Sequence, residues 1–191
     1  MKPVNIVLMP DLFPKELRPS EKLFPFIRAY ESLHDGDLSQ LGLQPKLDPV
    51  GYWTEGWGHL MTRNGRKMTV KDYPTLESIL PFSKIKTRED ADAFLRIDVE
   101  ASAVEVRKHL KIKVRQYEFD ALVDHYYNCG LSETLYRLIN SRADKSKIKD
   151  WITTRYISAN GVVLKGLKYR RNDDYEIYAG INYEREYKLS V

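Results

Sequence analysis

The fold of this chain is indicated above all by Asp48-Pro-Val-Gly-Tyr-Trp-Thr-Glu-Gly-Trp-Gly-His59. Gly51, Gly56 and Gly58 mark tight turns or close backbone approach, which a residue without Cβ tolerates at least cost. The segment Tyr52-Trp53-Thr54 between them is prone to form a strand, so the stretch predicts a short hairpin. Its carboxylate, hydroxyl and imidazole groups then lie on turns and strand ends, where they suit a ligand better than a core. We interpret the stretch as half of an enzyme's site.

The composition of the 191 residues is that of a folded enzyme-sized domain. The chain is 42% hydrophobic and 12% aromatic, which favours a packed core over disorder. The net charge of +4 fits either a mixed solvated surface or attraction to a polyanion such as nucleic acid, acidic polysaccharide or cell wall. A single cysteine, Cys129, excludes an internal disulfide. The four histidines lack metal-ligand spacing, and no stretch reaches the ~18 apolar residues of a membrane span.

Apolar spacing predicts one helix before the Asp48–His59 stretch and several after it. Four prolines favour an extended arm over residues 1–20, followed by one domain over residues 21–191. Within that domain we expect a β lobe at about 41–86 and a helical lobe at about 87–180, which the helix at 24–32 joins. The predicted boundaries in the helical lobe are a cap at Thr87-Arg-Glu-Asp90, helix ends at Gly130 and Gly180, and helix starts near Ser132 and before Ile148 and Leu167.

Two carboxylates and a hydroxyl form a candidate catalytic set. Glu31 follows Ile27 by four residues and Leu23 by eight, so it lies on the apolar face of its helix. Such surroundings disfavour a charge, which suits Glu31 as the protonated acid of a glycosidase. Asp48 lies in a turn-rich loop and suits the ionised partner, while Thr54 is placed to hold a water molecule. Each acid also has an ordinary interpretation, as a turn former or as the partner of an arginine.

These residues resemble the active-site signature of the phage-type lysozymes, glycoside hydrolase family 24. The signature here is Glu31 followed by Asp48-x-x-Gly-Tyr-x-Thr-x-Gly-x-Gly-His59. The resemblance continues further along the chain. Two helical motifs resemble those of the family, Thr87-Arg-Glu-Asp-Ala-Asp-Ala-Phe-Leu-Arg-Ile-Asp98 and Gln116-Tyr-Glu-Phe-Asp-Ala-Leu-Val-Asp-His-Tyr-Tyr-Asn-Cys-Gly130. The family's C-terminal part is resembled by two segments, Thr134-Leu-Tyr-Arg-Leu-Ile-Asn140 and then Gly161-Val-Val-Leu-Lys-Gly-Leu-Lys-Tyr-Arg-Arg171. It spans roughly residues 22–187.

The resemblance implies an α+β, lysozyme-like fold, with a small N-terminal β lobe, a larger helical lobe and the active-site cleft between them. It implies a muramidase that cleaves the β-1,4 bond between N-acetylmuramic acid and N-acetylglucosamine in peptidoglycan. Glu31 would be the general acid, and Asp48 and Thr54 would position or activate water. The candidate substrate-binding residues are Tyr52, His59, Gln116 and Asn128, and for His59 a structural hydrogen bond is also expected.

The expected partner is the glycan strand of peptidoglycan, with no cofactor, no metal, no nucleic acid and no stable membrane association. We expect a monomer. With no signal peptide seen in the sequence, we expect cytoplasmic accumulation in the producing host until a separate membrane-permeabilising partner releases the enzyme to the wall.

Departures from the family pattern keep other interpretations open. Sixteen residues separate Glu31 from Asp48, roughly twice the family's spacing, which predicts an insertion at about 34–46 that contains Asp35 and Asp37 as rival acids. A second expansion lies at about 62–85, and Glu55 replaces an apolar residue. The alternatives are a glycan-binding or virion-structural protein that has lost activity, and a related chitinase or lytic transglycosylase. Trp53 and Trp57 are expected in the core of the β lobe rather than on sugar rings.

Overall fold

The computed structural model describes residues 10–31, 43–48, 50–159 and 161–185. Backbone contacts group them into two compact units. The β unit runs from Phe24 to Glu100, and the helical unit comprises the flanking parts, up to Leu23 and from Ala101 onward. Asp35, Asp37, most of the insertion predicted at 34–46 and residues 1–9 of the predicted arm lie outside the described residues. The division into an arm and a single domain stays a prediction.

The elements follow the predicted order of a helix, a small β region and a set of helices. The helices are α1 (Leu23–Glu31), α2 (Leu76–Ile79), α3 (Arg88–His109), α4 (Gln116–Cys129), α5 (Glu133–Asn140), α6 (Lys145–Thr154) and α7 (Lys165–Tyr178). The strands are β1 (Lys46–Leu47), β2 (Trp53–Glu55), β3 (His59–Leu60), β4 (Thr62–Arg63), β5 (Arg66–Lys67), β6 (Ser158–Ala159) and β7 (Val162–Val163). Short 3₁₀ turns cover Pro14–Glu16 and Leu80–Phe82. The fold is α+β, as the sequence predicts.

The β unit contains a three-stranded antiparallel sheet in the order β1-β2-β3 and the separate β4–β5 hairpin. Thr54 in the central strand pairs with Lys46 on one side and Leu60 on the other. The hairpin turns at Asn64-Gly65, where both residues have positive φ (51° and 74°), as a two-residue turn between twisted strands requires. The core under these strands is formed by Trp53, Met61, Met68 and Ile79. The predicted burial of both tryptophans is confirmed, since Trp53 and Trp57 are 5% and 4% exposed.

The helix boundaries follow local sequence signals. The N–H of Asp90 donates to Thr87 Oγ1 (3.1 Å), and the N–H of Thr87 donates to Asp90 Oδ2 (3.0 Å), which confirms the capping box predicted at the start of α3. A further hydrogen bond from the Lys86 N–H lowers the pKa of Asp90. Gly130 adopts φ +73° directly after α4, and Gly180 adopts φ +74° two residues after α7, so both predicted glycine stops are confirmed.

The helical unit is held by packing of α4 on α7, α7 on α6 and α6 on α5. The segment before α1 is tied to this unit at two points. Leu12 and Val114 exchange backbone hydrogen bonds of 2.9 and 3.0 Å. Further along, the buried Asp120 accepts hydrogen bonds from Ser20 Oγ and from the hydroxyl of Tyr183, each at 2.6 Å. One α4 carboxylate thus anchors both the segment that precedes α1 and the segment that follows α7.

One buried ion pair connects α4 with α7, and a second lies within α7. Arg170 places Nε and Nη2 at 3.2 and 2.8 Å from the two oxygens of Asp124, in a bidentate pair. Burial opposes ionisation of this acid, but the charge of Arg170 prevails and lowers the pKa of Asp124. Arg171 pairs with Asp174 at 2.9 Å. Neither arginine is exposed by more than 1%, so both serve the interior of the helical unit.

His125 is a buried base beside these pairs. It is 2% exposed, its ring meets Tyr156 edge-on at 5.3 Å between centroids, and its Nε2 has no hydrogen-bond partner among the described residues. Burial and the nearby charge of Arg171 lower the pKa of His125 to about 3. Arg170 acts in the same direction, while the negative charge of Asp124 opposes both. His125 is therefore neutral in the folded protein near neutral pH.

We predict that His125→Phe stabilises the protein at acidic pH. The unfolded chain binds a proton at this site below its ordinary pKa of ~6.5, and the folded protein does so only near 3, so stability falls as pH drops through that window. Removal of the imidazole should reduce the loss of unfolding free energy between about pH 7 and pH 4.5 by about 2–3 kcal/mol. Urea unfolding at both pH values measures it. An unchanged pH dependence in the variant would contradict the assignment.

Candidate active site

Asp48 closes the turn between β1 and β2 and keeps one oxygen unused. Its Oδ1 accepts hydrogen bonds from the N–H groups of Val50 (2.9 Å) and Tyr52 (2.8 Å). Gly51, at φ +88°, supplies the backbone conformation that this turn needs. Asp48 Oδ2 has no hydrogen-bond partner among the described residues. Asp48 can therefore form the turn and also act as a candidate catalytic group, because the two roles use different oxygens.

Thr54 lies on the central strand next to this turn. Its hydroxyl donates to the carbonyl of Lys46 at 3.3 Å, a long bond that leaves the oxygen's lone pairs available. The side chain is half-buried, whereas its neighbours Trp53 and Glu55 are both buried. Because side chains alternate along a strand, Thr54 faces the opposite side of the sheet from those two.

Glu55 acts within the interior of the β unit. It is 3% exposed, and its carboxylate accepts hydrogen bonds from Ser83 Oγ (2.8 Å), the Lys84 N–H (3.1 Å) and the Ile85 N–H (3.3 Å). These donors belong to the irregular segment that leads into α3. Glu55 thus forms an internal tie and faces away from Thr54.

We predict that Glu55→Ala destabilises the protein by about 2–4 kcal/mol, because it leaves the buried Ile85 N–H and the part-buried Lys84 N–H without an acceptor and removes the shorter of the two hydrogen bonds of the Ser83 hydroxyl. Glu55→Gln keeps an acceptor oxygen and should recover about half of the loss. Chemical unfolding of the two variants measures the difference. Equal stability of Glu55→Ala and the unaltered protein would contradict this role.

Glu31 is the last residue of α1. The face on which it lies is apolar as predicted, since Leu23 and Ile27 are fully buried and Tyr30 is 3% exposed. Glu31 itself is half-buried. It therefore stands at the point where a buried helix face reaches the end of the helix.

Asp92 of α3 connects α1 to the turn between β2 and β3. Its Oδ1 accepts a hydrogen bond from Arg28 Nη1 (3.1 Å) and another from Trp57 Nε1 (2.8 Å). Arg28 precedes Glu31 by three residues, which is almost one helical turn. Trp57 follows Thr54 by three residues. A single carboxylate oxygen thus ties the helix that carries Glu31 to the Asp48–His59 stretch, which contains both Asp48 and Thr54.

We predict that Trp57→Phe impairs catalysis beyond its effect on stability, because the loop loses its hydrogen bond to Asp92. The matched control is Trp53→Phe, which removes another buried indole whose Nε1 donates to the carbonyl of Tyr73 (2.9 Å) and not to Asp92. At similar losses of unfolding free energy, Trp57→Phe should lower kcat about tenfold more than Trp53→Phe on peptidoglycan, the substrate expected from the sequence. Equal kcat values would contradict the positioning role of Trp57.

Tyr52 and His59 lie on the same small sheet region, and other side chains already contact both rings. His59 Nδ1 lies 2.8 Å from Asp98 Oδ2, and the imidazole packs on Phe94 at 4.5 Å between centroids. The expected structural hydrogen bond of His59 is therefore present. The ammonium group of Lys67 lies 4.6 Å from the ring centroid of Tyr52. Asp98, Phe94 and Lys67 are thus contacts of the candidate residues.

The candidate residues Gln116 and Asn128 belong to the helical unit, on α4. Gln116 Nε2 donates to the carbonyl of Arg18 (2.8 Å) and to Asp120 Oδ1 (3.0 Å). Asn128 Oδ1 accepts a hydrogen bond from Arg171 Nη2 (3.1 Å). Both amides therefore make internal bonds, and their binding of substrate stays a prediction. A cavity of about 400 Å³ in the same unit, near the first turns of α4 and α6, is lined by neither of them.

Sequence reasoning missed Asp92, Asp98 and Lys67. The first two are among six acids in α3, and nothing in the spacing of that helix sets them apart. Their partners are distant in sequence, at 64 residues for Arg28 and Asp92 and 39 for His59 and Asp98, so only folding brings them together. Within the described residues, no group of three or more His, Cys, Asp or Glu side chains is arranged to hold a metal ion. In the same residues no helix is long and apolar enough to span a membrane.

Comparison with known proteins gives consistent matches. The family model for phage lysozyme matches residues 38–174. A solved endolysin from Escherichia coli O157:H7 phage FAHEc1 superposes with a TM-score of 0.63 at 26% identity, over 85% of this chain and 93% of that one. A muramidase domain from Asticaccaulis excentricus gives a TM-score of 0.61 at 25% identity, over 85% of this chain and 97% of that one.

Among curated proteins, an endolysin of Bacillus phage PZA is 32% identical over 99 residues, which cover 50% of this chain. The matched part is 38% of that protein's length, so the chain spans less than two-fifths of this relative.

Proposed function

The chain belongs to the phage lysozyme family, and we propose that it is a peptidoglycan hydrolase of the muramidase type. The proposed reaction is hydrolysis of the β-1,4 bond between N-acetylmuramic acid and N-acetylglucosamine, without a cofactor, by a member of glycoside hydrolase family 24. Support comes from the family match over residues 38–174 and from the two solved structures at 25–26% identity, which are an endolysin and a muramidase domain.

The observation that carries the proposal is a fixed carboxylate in the turn that leads into the strand with a half-buried hydroxyl. Asp48 is held by two backbone amides on one oxygen, with its other oxygen unbonded among the described residues. Thr54 follows in the strand that leaves this turn, and its hydroxyl has unused lone pairs. A water molecule bound between an acceptor and a hydroxyl in this way would be oriented for attack. Asp92 links the same loop to the helix that ends in Glu31.

In the proposed mechanism Glu31 donates a proton to the glycosidic oxygen as the bond breaks. Asp48 Oδ2 accepts a proton from the attacking water or stabilises the positive charge that develops on the sugar. Thr54 orients that water. In inverting glycosidases the two carboxyl groups stand about 6.5–9.5 Å apart, which leaves room for the water molecule between the base and the sugar. We propose that Tyr52, His59, Gln116 and Asn128 contribute to binding of the glycan strand.

We predict that Glu31→Gln lowers kcat on purified peptidoglycan at least ~100-fold, because an amide has no proton to donate to the leaving oxygen. Asp48→Asn should also lower kcat at least ~100-fold, since it removes the acceptor for the proton of water. Asp72→Asn is the matched control. Asp72 is an exposed acid of the β unit that accepts a hydrogen bond from Thr69 Oγ1 (2.7 Å), and its variant should keep full activity.

Mass spectrometry of the product ends separates this function from its alternatives. New reducing ends at N-acetylmuramic acid support a muramidase, and new ends at N-acetylglucosamine indicate another type of glycosidase. Anhydro ends would identify a lytic transglycosylase, and full activity of Glu31→Gln would refute its role as the acid. An absence of products from the unaltered protein would favour a binding or virion-structural role.

A further inference from the structure

The segment from Gly56 to Lys71, which follows β2 in the β unit, carries positive charges only. From Gly56 to Lys71 it contains Arg63, Arg66, Lys67 and Lys71 and no aspartate or glutamate. Its four positive charges equal the net charge of the whole 191-residue chain, which is +4. Two other runs without acids, at 106–117 and 151–172, belong to the helical unit. Within the β unit, no other acid-free run carries as many cations.

The β4–β5 hairpin places three of these cations on one rigid element. Arg63 pairs directly with Arg66 across the two strands, and Thr62 pairs with Lys67. Like charges at opposed positions of an antiparallel pair are unfavourable, so this arrangement costs stability unless an anion is bound. All three cations are exposed. The described residues provide no carboxylate partner for any of them.

Aromatic rings fix two of the three cations in place. The guanidinium group of Arg63 lies 4.6 Å from the ring centroid of Phe82, and its Nη1 donates to the hydroxyl of Tyr73 at 3.2 Å. The ammonium group of Lys67 lies over the ring of Tyr52. Cation–π contacts of this kind hold a side chain without neutralising its charge. Positive charge is thus oriented before any ligand arrives, which lowers the entropy lost on binding.

Backbone hydrogen bonds join the β4–β5 hairpin to the segment from Asp48 to Thr54. The N–H of Trp53 donates to the carbonyl of Met68 (3.0 Å), and the N–H of Val70 donates to the carbonyl of Gly51 (2.9 Å). The N–H of Met61, at the other end of the hairpin, donates to the carbonyl of Trp53 (2.9 Å). The cations are therefore held in a defined position relative to the loop that carries Asp48.

We propose that Arg63, Arg66 and Lys67 form an anion-binding subsite, which engages acidic groups attached to the glycan strand while the strand lies at the Asp48 loop. This inference rests on the proposed function and deepens it. A wall strand offers such anions from two sources, the carboxylates of its stem peptides and the phosphates of wall-attached polymers. A hydrolase with this subsite should favour decorated strands over bare glycan.

The test compares the unaltered protein with a triple variant, Arg63→Gln, Arg66→Gln and Lys67→Gln. A second variant, Arg66→Gln alone, leaves both aromatic contacts intact and guards against a folding defect. The matched control is Lys111→Gln, Lys145→Gln and Lys147→Gln, which removes the same charge from exposed lysines of the helical unit. The substrates are intact walls, walls stripped of phosphate polymers, and glycan strands freed of stem peptides by an amidase.

We predict that the triple variant raises KM on decorated walls about tenfold at low salt with little change in kcat, and that this difference shrinks at high salt. Arg66→Gln should raise KM about twofold, and the control triple should raise it less than the hairpin triple. On amidase-treated, phosphate-free strands Arg66→Gln and the control triple should keep the KM of the unaltered protein. A defect that persists on phosphate-free walls assigns the anion to stem-peptide carboxylates, and one confined to intact walls assigns it to phosphate.

Equal KM values on every substrate, or an equal defect on bare strands, would overturn the subsite. Cosedimentation with walls in a Glu31→Gln background measures binding without turnover. Loss of binding in the hairpin variants, together with no hydrolysis by the unaltered protein, would refute the proposed function and leave the subsite standing.

Discussion

The two hydrogen bonds that converge on Asp92 Oδ1 are the constraint on which the candidate active site depends. Arg28 and Trp57 reach the same oxygen from α1 and from the β2–β3 turn, at 3.1 and 2.8 Å. An acid and a water-binding loop must be placed to within a fraction of an ångström to act on one bond, and small errors in placement are expensive. Because Asp92 belongs to the long helix α3, it provides that reference from outside both elements.

The acids of the β unit divide into internal ties and candidate reactive groups. Glu55, Asp92 and Asp98 accept hydrogen bonds from or pair with groups of the unit itself, so their charges stabilise its interior. Asp48 retains an oxygen without a partner among the described residues. The β4–β5 hairpin instead carries cations, two of which contact aromatic rings, and these cations face no described carboxylate. The candidate site that contains Asp48 thus lies beside a source of positive charge.

Local signals predicted the elements, and long-range contacts account for what was missed. The Thr87–Asp90 capping box, the glycine stops after α4 and α7, and the burial of Trp53 and Trp57 depend on a few neighbouring residues or on the apolar pattern, and the structure confirms them. The β6–β7 hairpin has only two residues in each strand, too few to show an alternating pattern. The cross-strand pairing of Arg63 with Arg66 became visible only with the strand register.

Residue types at fixed spacing carry enough information to predict the fold class, the family and the candidate residues Glu31, Asp48 and Thr54. Tertiary structure decided how each group is used. It showed that Asp48 serves a turn with one oxygen only, that Glu55 is a buried tie, and that Asp92 joins α1 to the loop. The roles of Glu55 and Asp92 depend on contacts between residues 28–64 positions apart, whose energies exist only when the chain is folded.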